Sequence, residues 1–203
     1  MRKILFILFL FGTLMLNAQT ASDVFSAKEL KFFGIDFTMA KFVGPQEYPP
    51  NEEIRDVYFR KWNDAYMKGS RRFNLERSYK KKHIYYDTSV YARNDQLPVE
   101  NLISNTTYSI KRSDIELYVI TYADITKTGI GFVYLVESLD AELRYLSVWV
   151  AFFNLQTGDI LFTEPIRTKA NGRNFDYFWT RSFKRMYENS SKDYSNWKKI
   201  YKD

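Results

Sequence analysis

Residues 130–170 contain three successive segments rich in apolar residues, and their pattern predicts three consecutive β-strands. The middle strand, residues 144–154, is apolar on both faces, because successive side chains point to opposite sides of a strand. One face carries Leu146, Val148, Val150 and Phe152, and the other carries Tyr145, Trp149, Ala151 and Phe153. Strands of this kind lie inside sheets that are covered on both sides. We therefore expect an interior strand with helices packed over it.

The segments before this region alternate between strand and helix patterns. Aromatic and β-branched residues at 30–37 predict a strand, and residues 83–86 predict a second, short one. Between them, Asn51 is suited to cap a helix whose apolar residues recur every four positions. These residues are Ile54, Tyr58, Trp62 and Tyr66, and the helix is expected to end near Lys68 and Gly69.

Weaker signals follow in the middle of the chain. Pro98 suits the first position of a short helix, and residues 107–110 suit another strand. Ser113 and Glu116 have the spacing of a capping box, which predicts a helix over residues 115–122. A strand is the competing interpretation of that segment, because valine, isoleucine, threonine and tyrosine favour sheets.

The chain closes with an aromatic-rich helix. Asn174 leads into it, and the sequence turns polar and basic after Asn189, so residues 190–203 are expected to form a polar tail. The predicted fold class is α/β (α+β), in one domain over residues 19–203. It comprises a mixed sheet with a C-terminal three-strand antiparallel meander, helices packed on the sheet and a closing C-terminal helix.

Residues 1–18 have the pattern of a secretory signal peptide. Arg2 and Lys3 supply the positive region, residues 4–16 the apolar run, and Ala18 suits the last position before cleavage. The apolar run is too short for a membrane span, and no cysteine follows that a lipid could modify. We expect a bacterial protein that is periplasmic or secreted, is not a lipoprotein and has no transmembrane span in its mature chain.

Composition narrows the chemistry further. The absence of cysteine excludes disulfides, thiol nucleophiles and thiolate metal sites, and aromatic residues at 18% offer a large apolar core instead. The net charge of +6 is spread along the chain rather than clustered as in nucleic-acid-binding domains, so no nucleic-acid partner is expected. The densest basic run, residues 80–82 with Arg71, Arg72 and Arg77 upstream, suits an anionic glycan, lipid headgroups or a solvated loop.

The pattern of the last third of the chain resembles a known group. Residues 148–162 have the form apolar strand, Thr-Gly-acid turn, apolar strand, with the turn at Thr157, Gly158 and Asp159. This is similar to the anticodon-binding-like fold of the TolB N-terminal domain and of envelope accessory proteins related to the curli secretion component and to activators of penicillin-binding proteins. Residues 129–137 and 169–179 resemble segments of an uncharacterised group of exported bacterial proteins. The resemblance implies an envelope accessory role.

Known catalytic residue sets are absent from the sequence. His83 is the single histidine, no G-x-S-x-G surrounds a serine, and nothing in the sequence pairs the carboxylates. Gly129 and Gly131 lack the third glycine of a nucleotide-binding loop. We therefore assign no catalytic residue, no metal site and no cofactor, and the sequence favours a non-catalytic protein.

Four residues are candidates for a binding site. Asp36 is a carboxylate within an apolar strand, and the nearby Lys41 is the expected partner. Trp62 belongs to an aromatic stripe that lines either the core or a ligand groove, and Asn174 begins the closing helix. Paired burial is the simpler interpretation of Asp36, and core packing that of Trp62.

These observations lead to one functional hypothesis with two alternatives. The first is an exported, non-catalytic, envelope-associated module that binds a protein or an anionic glycan. The alternatives are a hydrolase of unfamiliar type that uses Asp36 with Lys41 or a tyrosine, and a small-ligand carrier with an aromatic-lined pocket.

Overall fold

A computed structural model describes residues 19–45, 47–67 and 73–201. The predicted signal peptide, the predicted helix end at Lys68 and Gly69, Arg71 and Arg72 of the basic segment and residues 202–203 of the predicted tail lie outside the described residues. The strands are β1 (Glu29–Asp36), β2 (Lys41–Val43), β3 (His83–Tyr86), β4 (Ile103–Ser104), β5 (Ile130–Asp140), β6 (Tyr145–Asn154) and β7 (Ile160–Lys169). The helices are α1 (Ala21–Ser26), α2 (Asn51–Glu53), α3 (Arg60–Met67), α4 (Leu75–Ser78), α5 (Ser89–Asp95), α6 (Arg112–Val119) and α7 (Phe175–Ile200).

Strand β5 is the centre of a seven-stranded sheet. Strands β1 and β2 lie end to end along one edge of β5, and both run parallel to it. Strand β3 extends the sheet beyond β1, and β4 extends it beyond β2, again in parallel. On the other edge of β5, β6 pairs antiparallel along its whole length, and β7 pairs antiparallel with β6. The predicted mixed sheet with helices and a C-terminal helix is therefore confirmed.

The two faces of the sheet are covered differently. The face covered by α7, here called the α7 face, also meets the helical residues 51–67 and holds the larger core. From β6 it receives Leu146, Val148, Val150 and Phe152, as the alternation predicted. The opposite face, here called the α6 face, packs Ala151 and Phe153 beneath α6. Interior burial of β6 thus follows from its two apolar faces.

Residues 51–67 form one continuous helix whose middle, Ile54–Phe59, is π-helical. A π-helix bonds residues five apart instead of four, so Ile54 and Phe59 both face the core. Trp62 and Tyr66 then continue the buried stripe at α-helical spacing. Tyr58, which the four-residue period places in the stripe, is only partly buried and contacts Phe175 at 4.9 Å between ring centroids.

Several local predictions are wrong. No helix follows Pro98, where the chain makes a turn, and residues 107–110 form no strand. Helix α6 exists, but its first turn is closed by the Lys111 N–H donating to Asp114 at 3.1 Å rather than by a Ser113–Glu116 capping box. The segment expected as a polar tail continues α7, and Ser190, Tyr194 and Trp197 are buried there.

Candidate functional site

Strand β1 has an irregularity at a glycine near its carboxyl end, where its register with β5 shifts between Phe32 and Ile35. Gly34 has φ +86°, and a Cβ there would lie 2.7 Å from both Asn63 Oδ1 and Val90 Cγ1. Beyond this point β3 no longer pairs with β1. Buried asparagine side chains bond the backbone at the end of β1 instead. Asn63 accepts from the Ile35 N–H at 2.7 Å, and Asn94 accepts from the Phe37 N–H at 2.9 Å. A small residue at 34 allows this close approach of side chain to backbone.

Asp36, the last residue of β1, is only 1% exposed and points to the α6 face. Its Oδ1 accepts from the Thr38 N–H at 2.7 Å, which turns the chain out of the sheet as an Asx turn. Its Oδ2 accepts from the Tyr118 hydroxyl at 2.7 Å and also from the Tyr122 hydroxyl. The carboxylate therefore joins the end of β1 to α6 and to the 3₁₀ turn that follows it.

The two tyrosines are held in their neutral form. Burial, and then the charge of Asp36, raises the pKa of Tyr122 well above its ordinary value, and the same two causes raise the pKa of Tyr118. The Arg93 guanidinium covers the Tyr122 ring at 4.0 Å and donates to the Thr121 carbonyl at 2.6 Å. A protonated tyrosine hydroxyl cannot act as a base, and the Asp36 carboxylate is already occupied by three hydrogen-bond donors. This cluster therefore suits a structural role.

Lys41 is not the partner of Asp36, so that predicted pairing is wrong. The Lys41 ammonium donates to the carbonyl of Asn101. The reason is the pairing of β2 with β4, which brings Lys41 beside the turn that precedes Ile103. The hydroxyls that do bind Asp36 come from α6 and its continuation, 82 and 86 residues further along the chain.

Trp62 lies at the base of a cleft of about 440 Å³ between α3 and α7. Its indole N–H donates to Thr180 Oγ1 at 3.1 Å, and its ring packs on Phe183 at 5.1 Å between centroids. The aromatic members of the cleft come from both helices and from the chain after α3. The lining residues are Lys61, Trp62, Ala65, Tyr66, Phe73, Tyr177, Thr180, Arg181, Phe183 and Lys184.

The rim of this cleft is cationic. Lys61 pairs with Asp176 at 2.7 Å, and Lys184 approaches Glu188 at 3.4 Å. Arg181 instead lies over the half-exposed Tyr177 ring, 5.2 Å from its centroid. An arginine stacked on an aromatic ring keeps its N–H donors directed outward, so it is available to an anionic group.

Asn174 lies outside that cleft and caps α7. Its Oδ1 accepts from the Tyr177 N–H at 2.9 Å, which satisfies a free donor of the first turn. Beside it, a shallow depression of about 610 Å³ separates α7 from the loop that contains Tyr48. Thus the four predicted residues make their contacts with different parts of the structure, and only Trp62 lines the α3–α7 cleft.

Our sequence predictions missed a groove on the α6 face, beyond the end of α6. This groove of about 350 Å³ includes Trp149, whose indole N–H donates to Glu137 at 2.6 Å. Nearby, the Arg167 guanidinium lies 4.2 Å from the centroid of the Tyr145 ring. Tyr145 and Trp149 share a face of β6, and this alternation was the available signal.

Two further polar groups are buried on the α7 side. Tyr79, Tyr134 and Ser190 form a closed set of hydroxyls, with 2.6 Å between the two tyrosine oxygens. Lys81, only 7% exposed, donates to the Val24 and Ala27 carbonyls at the end of α1. Burial, and then the charge of Lys198, lowers the pKa of Lys81 to about 8.

Comparison of the chain with protein-family models and curated proteins finds no relative. Within the described ranges, histidine, aspartate and glutamate side chains form no group of three or more that suits a metal ion. None of the helices in the described part of the chain has the length and apolarity needed to cross a membrane.

Proposed function

We propose that the protein is a non-catalytic, envelope-associated binding module, and that its ligand is an anionic glycan that occupies the α3–α7 cleft. The observation that carries this proposal is an exposed aromatic ring beside an unpaired guanidinium in one cleft. Tyr177 is 50% exposed and supplies the aromatic surface, whereas Trp62 is buried beneath it at 2%. Arg181 supplies a guanidinium without an ion-pair partner among the described residues.

The size of the cleft favours a small ligand or a short stretch of a polymer. About 440 Å³ falls within the range of small-molecule sites, whereas a protein partner needs a much wider contact. Aromatic rings present flat apolar surface to the C–H faces of a sugar, and arginine matches a carboxylate or sulfate with two parallel hydrogen bonds. Tyr177 provides such a ring and Arg181 such a guanidinium, one turn apart on α7.

The proposed cellular location and the proposed class of protein are supported by the sequence. The N-terminal pattern supports export to the periplasm or beyond, and the resemblance of residues 148–162 to envelope accessory proteins supports an accessory role. The hydrolase alternative loses support, because Asp36 is closed off by Thr38 and two tyrosines. The alternative of a small-ligand carrier assigns the same cleft to a different ligand, a small molecule instead of an anionic glycan.

The test compares anionic and neutral oligosaccharides by thermal shift and by calorimetry. We expect uronic-acid or sulfated oligosaccharides to raise the melting temperature, because a ligand that binds the native state stabilises it. The Arg181→Ala variant should bind about ten- to a hundredfold more weakly, the value of one charge-assisted contact. Neutral oligosaccharides of equal length should bind little.

Arg112→Ala is the matched control, because Arg112 is an exposed arginine at the start of α6, on the other side of the sheet. Equal binding by the Arg181→Ala and Arg112→Ala variants would contradict the assignment of the cleft. Thermal shifts produced by lipids instead of glycans would favour the carrier. Turnover of a glycan that disappears in Asp36→Asn would favour the hydrolase.

A further inference from the structure

Two basic segments that are far apart in the sequence meet at the end of α7. The Lys80 ammonium donates to Ser195 Oγ at 3.1 Å. Lys192 and Lys199 lie one helical turn before and after Ser195 on the same face of α7, because residues three and four apart are neighbours on a helix. The ammonium of Lys80 therefore lies between two further lysines.

We call this region the basic surface. It consists of the exposed residues Arg77, Lys80, Lys82, Lys192, Lys198 and Lys199. Residues 76–82 and 192–199 together hold seven basic residues, including the buried Lys81, against two acidic ones, Glu76 and Asp193. None of the six surface residues forms an ion pair within the described parts of the chain. The positive charge is therefore left for a partner.

An apolar side chain lies within this charged region. Ile200, the last residue of α7, is 65% exposed and directly follows Lys198 and Lys199. A soluble polyanion would use the lysines but gain nothing from an exposed isoleucine. A bilayer surface uses both, since lysines reach the headgroups while an apolar side chain enters the boundary of the acyl chains.

We propose that the basic surface docks the protein on a membrane that carries anionic lipid headgroups. This goes beyond the proposed function, because the basic surface shares no residue with the α3–α7 cleft. The two proposals can therefore fail independently. Orientation follows from the same geometry, since the end of α7 faces the bilayer and the cleft lies nearer the start of the helix.

The test is co-sedimentation with vesicles of phosphatidylcholine alone or mixed with phosphatidylglycerol. The mature, secreted protein is used after mass spectrometry of its N-terminus, because an uncleaved apolar leader would bind vesicles by itself. We expect binding to the anionic vesicles only, and weaker binding at high salt. The Lys198→Glu/Lys199→Glu variant should bind at least about tenfold more weakly, because each lysine near such a surface contributes about a factor of five.

Arg60→Glu/Lys61→Glu is the matched control, because it makes the same change of net charge at an adjacent, exposed pair of α3. Lys61 pairs with Asp176, so this pair lies beside the start of α7, at the other end of that helix from the basic surface. An equal loss of binding in both variants would mean that only net charge matters, and it would overturn the proposal. The third variant, Ile200→Ser, should weaken vesicle binding severalfold. Unchanged vesicle binding by Ile200→Ser together with equally tight binding of soluble heparin would identify a soluble polyanion as the partner and also overturn the proposal.

Discussion

Two charges are buried on opposite sides of the sheet, and their surroundings differ. On the α6 face, the Asp36 carboxylate accepts from a backbone N–H and from two tyrosine hydroxyls. On the α7 side, the Lys81 ammonium donates to two carbonyls at the end of α1. Neither charge has an ion-pair partner among the described residues.

The difference lies in what each charge holds together. Asp36 joins β1, an interior strand between β3 and β5, to α6, which is the main cover of its face. The hydrogen bonds of Lys81 go to α1, a six-residue helix that packs near β7 and α7, and its ammonium lies 5.6 Å from the centroid of the Tyr194 ring of α7. Replacement of Asp36 should therefore disturb the whole domain, whereas replacement of Lys81 should loosen one peripheral element.

The largest effect is expected for Asp36→Ala. The substitution removes the carboxylate that accepts from the hydroxyls of both Tyr118 and Tyr122, so the free energy of unfolding should fall by about 3–5 kcal/mol. Urea denaturation monitored by tryptophan fluorescence measures it. Asp36→Asn keeps one acceptor oxygen, so its free energy of unfolding should fall by less than that of Asp36→Ala. A loss below about 1 kcal/mol in Asp36→Ala would mean that water replaces the carboxylate and that the cluster is not structural.

A smaller effect, visible in the pH dependence, is expected for Lys81. Its pKa is about 8 in the folded protein, below the ordinary value of 10.5, so between these values the unfolded chain binds more protons than the native one. The free energy of unfolding should therefore rise as the pH increases from 8 toward 10. The same contribution is lost again as the pH falls through 8. Denaturation at several pH values should show this rise in the wild type and its absence in Lys81→Met. The same rise in both proteins would assign it to another group.

The smallest effect is expected for the neutral hydroxyl set. Tyr79→Phe removes one hydroxyl, while Tyr134 and Ser190 still bond each other at 3.0 Å. The free energy of unfolding should fall by only about 1 kcal/mol, the value of one neutral hydrogen bond. If Tyr79→Phe were as destabilising as Asp36→Ala in the same urea assay, buried charge would not be what distinguishes the two sides.

Long elements with strong patterns were predictable from the sequence. The apolar alternation of residues 130–170 predicted β5, β6 and β7, and the aromatic spacing after Asn174 predicted α7. The short elements β2 and β4 were missed, because two or three residues carry no measurable period. Helix α5 was missed because its core contacts rest on Val90 and the buried Asn94, and asparagine is not an apolar marker.

The candidate site was predictable only in part. Asp36 was recognised as unusual because it is a carboxylate in an apolar strand, but its partners Tyr118 and Tyr122 have the spacing of a core-facing helix. Trp62 was placed correctly on the inner face of its helix. Of the basic surface, only the run at residues 80–82 with Arg77 was recognised from the sequence. Its continuation on α7 was missed, because Lys80 and Ser195 become neighbours only when α7 folds back along the sheet.

The position of β5 has a consequence for the time at which the protein folds. Lys31 in β1 pairs with Gly131 in β5, about a hundred residues further along the chain. The nascent chain therefore has no central strand to assemble on until most of it has been synthesised, and β1 and β3 by themselves form only a short parallel pair. Late assembly of this kind keeps the chain open for longer, as the proposed passage through an export channel requires.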